Sequence, residues 1–133
     1  FVAKFVGSPI INLLDAKIEN GSFVVGQNDM VCTMSDEQRS VLNGYTKDRV
    51  VLGVRPEDVE ITREPKEVNS FQCKIHFIQS MGAEDILNLT REGTEFRAIA
   101  PPRLMSKVGE SVFANVNISR AHIFDPDTKE RLN

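Results

Sequence analysis

Apolar residues in this chain recur mostly at every second position, in short runs separated by glycine, asparagine and proline. Phe71, Cys73, Ile75 and Phe77 alternate with Gln72, Lys74 and His76, the period of a strand with one buried face. Residues 10–18 rise to Asn20-Gly21, a pair that tolerates the positive φ angles of a type I′ hairpin turn. Residues 22–25 return as a short strand, and Gly26-Gln27-Asn28-Asp29 turns the chain into 30–33. In 49–55 the alternation stops: Val50, Val51 and Leu52 are all apolar, too apolar in sequence for an edge strand exposed on both faces. Pro56 ends that run by fixing φ and removing a donor, and Pro56-Glu57-Asp58 makes a corner before Val59-Glu60-Ile61 resumes. Residues 62–69 are polar and contain Pro65, the composition of a connector. Gly82 breaks the strand that begins near Phe71, and 85–90 and 94–100 flank an Arg91-Glu92-Gly93 turn. After Pro101-Pro102, residues 103–107 read as a turn or single helical turn, and 112–118 as the last strand.

Two segments have helical character. Ser35 with Gln38 fits a capping box, Asp36 and Glu37 favour the positive end of a helix, and Gly44 can close it. Val41 and Leu42 are its apolar contacts, so this helix is expected to be short and superficial. At the start, Phe1, Val2, Phe5 and Val6 fit one helical stripe stopped by Gly7, with Pro9 just beyond. Such a stub is too short to stand alone. It reads either as the end of a helix that begins upstream or as a docking helix of a complete small domain. With about nine or ten short strands, the expected fold is mainly β: antiparallel sheets curled into small barrels, with one or two short helices.

Composition narrows the function classes. Of 133 residues, 41% are hydrophobic and 26% charged, enough for one core or two small lobes sharing one. The net charge of −3, with both signs interspersed, argues against a nucleic-acid partner, whose affinity comes from clustered Lys and Arg. Tyr45 is the only tyrosine and tryptophan is absent, which leaves few stacking platforms for single strands. No apolar run approaches the roughly 20 residues that cross a bilayer, and no signal-peptide pattern is present, so direct membrane insertion is not expected. Cys32 and Cys73 both sit in apolar strand-like settings and read as two reduced, buried thiols.

Catalytic chemistry finds little footing. Gly21 and Gly26 have the spacing of a Walker A loop, but Gln27-Asn28 replaces the Lys and Ser/Thr that hold phosphate and magnesium. His76 and His122 are the only histidines, and no G-x-S-x-G elbow is present. Asp125-Pro126-Asp127 is too short for a calcium loop and carries Lys129 where an acceptor is needed. No metal, cofactor or catalytic residue is therefore assigned. At the corner, Arg55 beside Pro56 is a cation on a stiff backbone, with Glu57 and Asp58 as acceptors nearby. An Arg–carboxylate pair there would lock the corner or bridge to a second subunit; a solvated corner is the other reading. Phe124, before the Asx-type turn at Asp125, is expected to plug a barrel end.

Several of these blocks carry a resemblance. Phe5-Val6-Gly7-Ser8-Pro9 with Asn12-Leu13-Leu14, Gly53-Val54-Arg55-Pro56-Glu57-Asp58, Met81-Gly82-Ala83-Glu84, and His122-Ile123-Phe124-Asp125 with 127–132 follow one another in order. Together they resemble the C-terminal part of ABC-importer ATPase subunits of the maltose and sugar-phosphate type. Gln79 and Lys129 depart from that pattern, where relatives often carry Glu and Gly. The resemblance implies a TOBE, OB-like regulatory domain over 10–133, with 10–61 and 70–125 as intertwined β lobes and 1–9 leaving an ATPase domain. ATP and magnesium would then be held by that ATPase domain and not by this chain. Implied partners are a second copy, the chain's own ATPase domain, the importer's membrane subunits and a signalling regulator, at the cytoplasmic face of the membrane. Interface or corner residues would be Arg55, Pro56, Glu57, Asp58, Gly82, Glu84, Phe124 and Asp125. The alternative is a MOP-like module that binds a small ligand or oxyanion, for which Ser106-Lys107 is the one suggestive pair.

Overall fold

Local turn chemistry sets the architecture. The structure, a computed structural model, describes residues 11–26, 30–101 and 106–133. The expected N-terminal helical stub, the turn at 27–29 and most of the turn at 103–107 lie outside the described residues. Asn20 and Gly21 both adopt positive φ, 48° and 75°, so the type I′ hairpin forms between β1 (Asn12–Glu19) and β2 (Ser22–Val25). Glu92 and Gly93 do the same between β7 (Asp85–Arg91) and β8 (Thr94–Ala100).

Ten strands among the described residues form two five-stranded antiparallel sheets. The first has the order β10-β4-β1-β2-β3, where β3 is Met30–Thr33, β4 is Arg49–Val54 and β10 is His122–Phe124. The second has the order β5-β9-β6-β7-β8, where β5 is Val59–Thr62, β6 is Ser70–Ser80 and β9 is Ser111–Val116. Its two edge strands, β5 and β8, approach each other, so this sheet curls toward a barrel. The chain passes from the first sheet to the second at the 3-10 turn Pro56–Asp58 and returns through a second one, Ile118–Arg120.

Strand β4 lies between β1 and β10 and so is not an edge; Val50, Leu52 and Val54 face the core, and Val51, on the opposite face, is half-buried. A single core joins the inner faces. Phe23, Leu52 and Ile123 of the first sheet and Ile75, Leu87 and Leu89 of the second are almost fully buried, each stabilising by about 1.5–3 kcal/mol.

Three expectations are corrected. A β-bulge between Ile75 and Phe77 makes His76 an extra residue and turns Phe77 outward, where it is 55% exposed. Residues 112–118 are not one terminal strand: β9 stops at Val116, and the three-residue β10 follows, paired to β4. The helix α1 (Asp36–Val41) keeps its Ser35–Gln38 capping box, and Leu42 at its end packs on the core as expected, but the side chain the helix buries is Gln38, while Val41 stays exposed. Gln38 Nε2 donates to the Ile118 carbonyl at 2.6 Å, so the helix is pinned by a polar contact across the fold.

Candidate functional site

The corner residues divide by role. Arg55 is exposed, extended as a residue before proline must be, and forms no ion pair with another described residue. Pro56 is buried, and its φ starts the 3-10 turn. Glu57 is exposed. Asp58 is the carboxylate that finds an arginine, but the arginine is Arg120: its Nε donates to Asp58 Oδ1 at 2.9 Å. The Asp58 carbonyl also accepts from the Asn117 N–H at 2.9 Å, so the two crossovers between sheets are tied to each other.

Behind the corner, β4 and β10 place two motif blocks side by side. Gly53 faces His122 across the ladder, and a Cβ there would meet Phe124 Cε2 and Ile11 Cδ1 at 3.0 Å. The missing side chain makes room for the Phe124 ring, which is buried. Next to it Asp125 is buried and heavily bonded. Its carboxylate accepts from Lys47 Nζ at 2.8 Å, from the Tyr45 hydroxyl at 3.3 Å, and from the N–H groups of Asp127 and Thr128 at 2.8 and 3.0 Å. Lys47 reaches Asp127 as well, at 3.0 Å. The Lys47 ammonium and the Thr128 and Asp127 amides hold the Asp125 carboxyl well below its ordinary range, and the two carboxylates push Lys47 above its own. Partial burial, then Asp125, raises the Tyr45 hydroxyl. Lys129 takes φ +65°, and the turn closes with its N–H donating to the Asp125 carbonyl at 3.0 Å. Nothing adjacent to Lys47 in sequence signals this clamp, because Asp125 is 78 positions away.

Gly82 and Glu84 lie apart from the corner, at the tip of the β6–β7 hairpin. Gly82 has φ +90°, and the Glu84 carbonyl accepts from the Met81 N–H at 2.8 Å. The candidate residues thus fall into two places, a locked seam at β4–β10 and an exposed hairpin tip, and do not converge on one cavity. Ser106 Oγ is buried without a hydrogen-bond partner. Lys107 beside it lines a shallow depression with Arg63, Val108 and Glu110, and the Glu110 carboxylate pairs with Arg63 and accepts from the Lys107 N–H.

Cys32 and Cys73 are free and buried; burial pushes their thiols up to about 12 and about 11. Among the described residues no group of three or more His, Cys, Asp or Glu is placed to hold a metal, and no helix is long and apolar enough to cross a membrane.

Comparison with known proteins gives two overlapping family matches. A family model described as the MalK OB fold domain covers residues 7–59, and one described as the TOBE domain covers 52–124. The multiple sugar-binding transport ATP-binding protein MsmK of Streptococcus mutans is 28% identical over 99% of this chain and 36% of its own length. The oligosaccharides import ATP-binding protein MsmX of Bacillus subtilis is 28% identical over 99% of this chain and 37% of its own. The sn-glycerol-3-phosphate import ATP-binding protein UgpC of Ruegeria pomeroyi is 30% identical over 99% of this chain and 34% of its own. The chain therefore spans about a third of the length of the curated relatives it matches. In fold it is similar to the cytoplasmic molybdate-binding protein ModG, with a TM-score of 0.69 and 17% identity over 86% of this chain and 96% of that one. From the paired sheets, the β4–β10 seam and these matches together, the chain belongs to the TOBE domain family, in the form found in ATP-binding proteins of sugar ABC importers.

Proposed function

We propose that this chain is the regulatory and dimerisation domain of the ATP-binding subunit of an ABC importer for sugars or related solutes. The observation that carries the reading is the match along 99% of the chain to about a third of several import ATP-binding proteins. The sequence of this third has Gln27-Asn28 where a phosphate-binding loop needs Lys and Ser/Thr. Its contribution is mechanical. Two such domains, held together, keep a pair of ATPase domains at high effective concentration while nucleotide closes and opens them. ATP and magnesium belong to the ATPase domain of the same subunit, which works beside the importer's membrane subunits at the cytoplasmic face of the membrane. The contacts that tie the two crossovers, Arg120 to Asp58 and Asn117 to the Asp58 carbonyl, suit a clasp, because they link one sheet to the other. A regulator that binds this domain acts only through its preference for the open or the closed pair, and a tenfold preference is worth about 1.4 kcal/mol.

The reading is tested by the reading frame upstream of the Phe1 codon. A Walker A loop and an ABC signature within it are expected; a frame that opens at Phe1, or an unrelated upstream domain, contradicts the proposal.

A second reading, an oxyanion-binding module, is favoured by one observation, the unpartnered Ser106 Oγ beside Lys107. The Glu110 carboxylate next to both counts against an anion there. Isothermal titration with molybdate and sulfate separates the two: heat that disappears in Lys107→Ala supports the module, and flat titrations remove it.

A further inference from the structure

One row across the first sheet sets like charges against each other. In the β1–β4 pairing Lys17 lies directly opposite Arg49, and on its other side Lys17 lies opposite Val24 of β2. The neighbouring pair, Ala16 and Val50, is buried in the core, so this row points outward. Val24 is nonetheless only 6% exposed, which gives the row an apolar floor. Two cations directly opposite on antiparallel strands destabilise the sheet unless an anion sits between them.

The row is one wall of a cleft of about 550 Å³, within the usual range for small-molecule sites. Asp15, two residues before Lys17 on the same face, adds a carboxylate to that wall. The β7–β8 turn closes the opposite side with Glu92, Gly93 and Thr94. Gly93 takes φ +84°, and nothing lies within 4 Å of where its Cβ would stand, so the wall there is bare backbone that a ligand can approach. Lys17 meets Glu19, which does not line the cleft, at 3.5 Å. The side chains of Asp15, Arg49 and Glu92 make no ion pair or hydrogen bond with another described residue.

A guanidinium beside an ammonium calls for an anion with several acceptor oxygens, as a phosphate has. Two carboxylates facing the same space disfavour a bare anion but accept from hydroxyl groups. A phosphate ester of a polyol carries both features at the right ends. We propose that this cleft binds a phosphorylated sugar, with its phosphate between Lys17 and Arg49 and its hydroxyls donating to Asp15 and Glu92. The site goes beyond the clasp and does not depend on it. Asp15, Arg49 and Glu92 are exposed, so binding is weak: a hexose phosphate at the ordinary efficiency of small ligands has a Kd of roughly 0.1–1 mM.

Amide NMR titration of the 133-residue chain with glucose 6-phosphate tests the site, with glucose and inorganic phosphate as controls. Saturating shifts at Lys17, Arg49, Gly93 and Thr94 are expected, with inorganic phosphate at least fivefold weaker and glucose without effect. Arg49→Gln should weaken glucose 6-phosphate and inorganic phosphate alike, each at least tenfold. Glu92→Gln should weaken glucose 6-phosphate at least threefold and leave inorganic phosphate no weaker. Without ligand, Arg49→Gln should melt no lower than the unmodified chain, because it relieves the opposed charges; a lower midpoint would make Arg49 a structural residue and overturn its role here. Absence of saturating shifts at tens of millimolar, or shifts confined to Ser106 and Lys107, overturns the site. Inorganic phosphate bound as tightly as glucose 6-phosphate overturns the place of the sugar, and glucose bound as tightly overturns that of the phosphate. Each of these failures leaves the clasp standing, since none of them reads self-association.

Discussion

The Asn12 side chain pairs with the Arg97 backbone as a strand would. Its Oδ1 accepts from the Arg97 N–H at 2.7 Å, and its Nδ2 donates to the Arg97 carbonyl at 2.8 Å. Asn12 is buried in the middle strand of the first sheet, and Arg97 lies on β8, an edge of the second. One amide therefore sews the sheets together and occupies edge groups that would otherwise be open to another strand.

Asn12→Ala leaves that N–H and carbonyl without their partner in a half-buried setting. The expected loss is about 2 kcal/mol of unfolding free energy. Urea denaturation measures it. A loss below about 0.5 kcal/mol would mean that water replaces the amide freely and that the sheets are joined by apolar packing alone.

Gly53→Ala should overpack the β4–β10 seam, with a cost of about 1–3 kcal/mol, because the new Cβ meets the Phe124 ring at 3.0 Å. Pairing it with Phe124→Leu provides an internal check. The double variant should be more stable than the sum of the two losses predicts, since the smaller side chain vacates the space. Strict additivity would show that the ring and the glycine do not compete for the same volume.

Asp125 gives the fold an acid limit. The folded carboxyl is held below its ordinary value of 3.8, so the folded state resists protonation more than the unfolded chain does. The stabilisation is fully present above about pH 4 and is lost progressively as the pH falls below that value toward the folded one. Lys47 works in the opposite sense: raised above 10.5, it contributes below that pH and is lost as the pH climbs past it. Thermal midpoints of wild type and Asp125→Asn should thus differ most between pH 5 and 9 and converge in acid. A constant gap down to pH 2 would contradict the clamp.

The two thiols should be silent in the native state. With Cys32 pushed up to about 12 and Cys73 to about 11, the thiolate fraction at pH 8 is about one in a thousand or less. A thiol-reactive chromophore at pH 8 is expected to titrate neither cysteine in the folded chain and both after denaturation. Rapid native reaction of either would place it at an accessible surface.

What was legible in the sequence was local. Asn20-Gly21 announced its turn because two positive φ angles need those residue types, and Ser35 with Gln38 announced a helix start because the capping bonds lie three residues apart. Apolar Val50-Val51-Leu52 is too apolar for an exposed edge, and β4 is an interior strand of its sheet. Alternation alone puts Phe77 on the wrong face, because a bulge changes the phase of a strand without changing its composition. The short β10 escaped because three residues acquire strand character only from the β4 partner they pair with. Of the candidate site, Pro56 and Asp125 were findable as a stiff corner and an Asx turn. Lys47, Arg120 and Asn12 were not, since their partners lie 78, 62 and 85 positions away and folding alone brings them together.

Sedimentation equilibrium of the unmodified 133-residue chain over a wide concentration range addresses the clasp most directly. A reversible monomer–dimer equilibrium, shifting toward dimer as concentration rises, is the result expected. A single monomer mass up to millimolar concentration would contradict the account, because a domain that never meets its copy cannot hold two ATPase domains together.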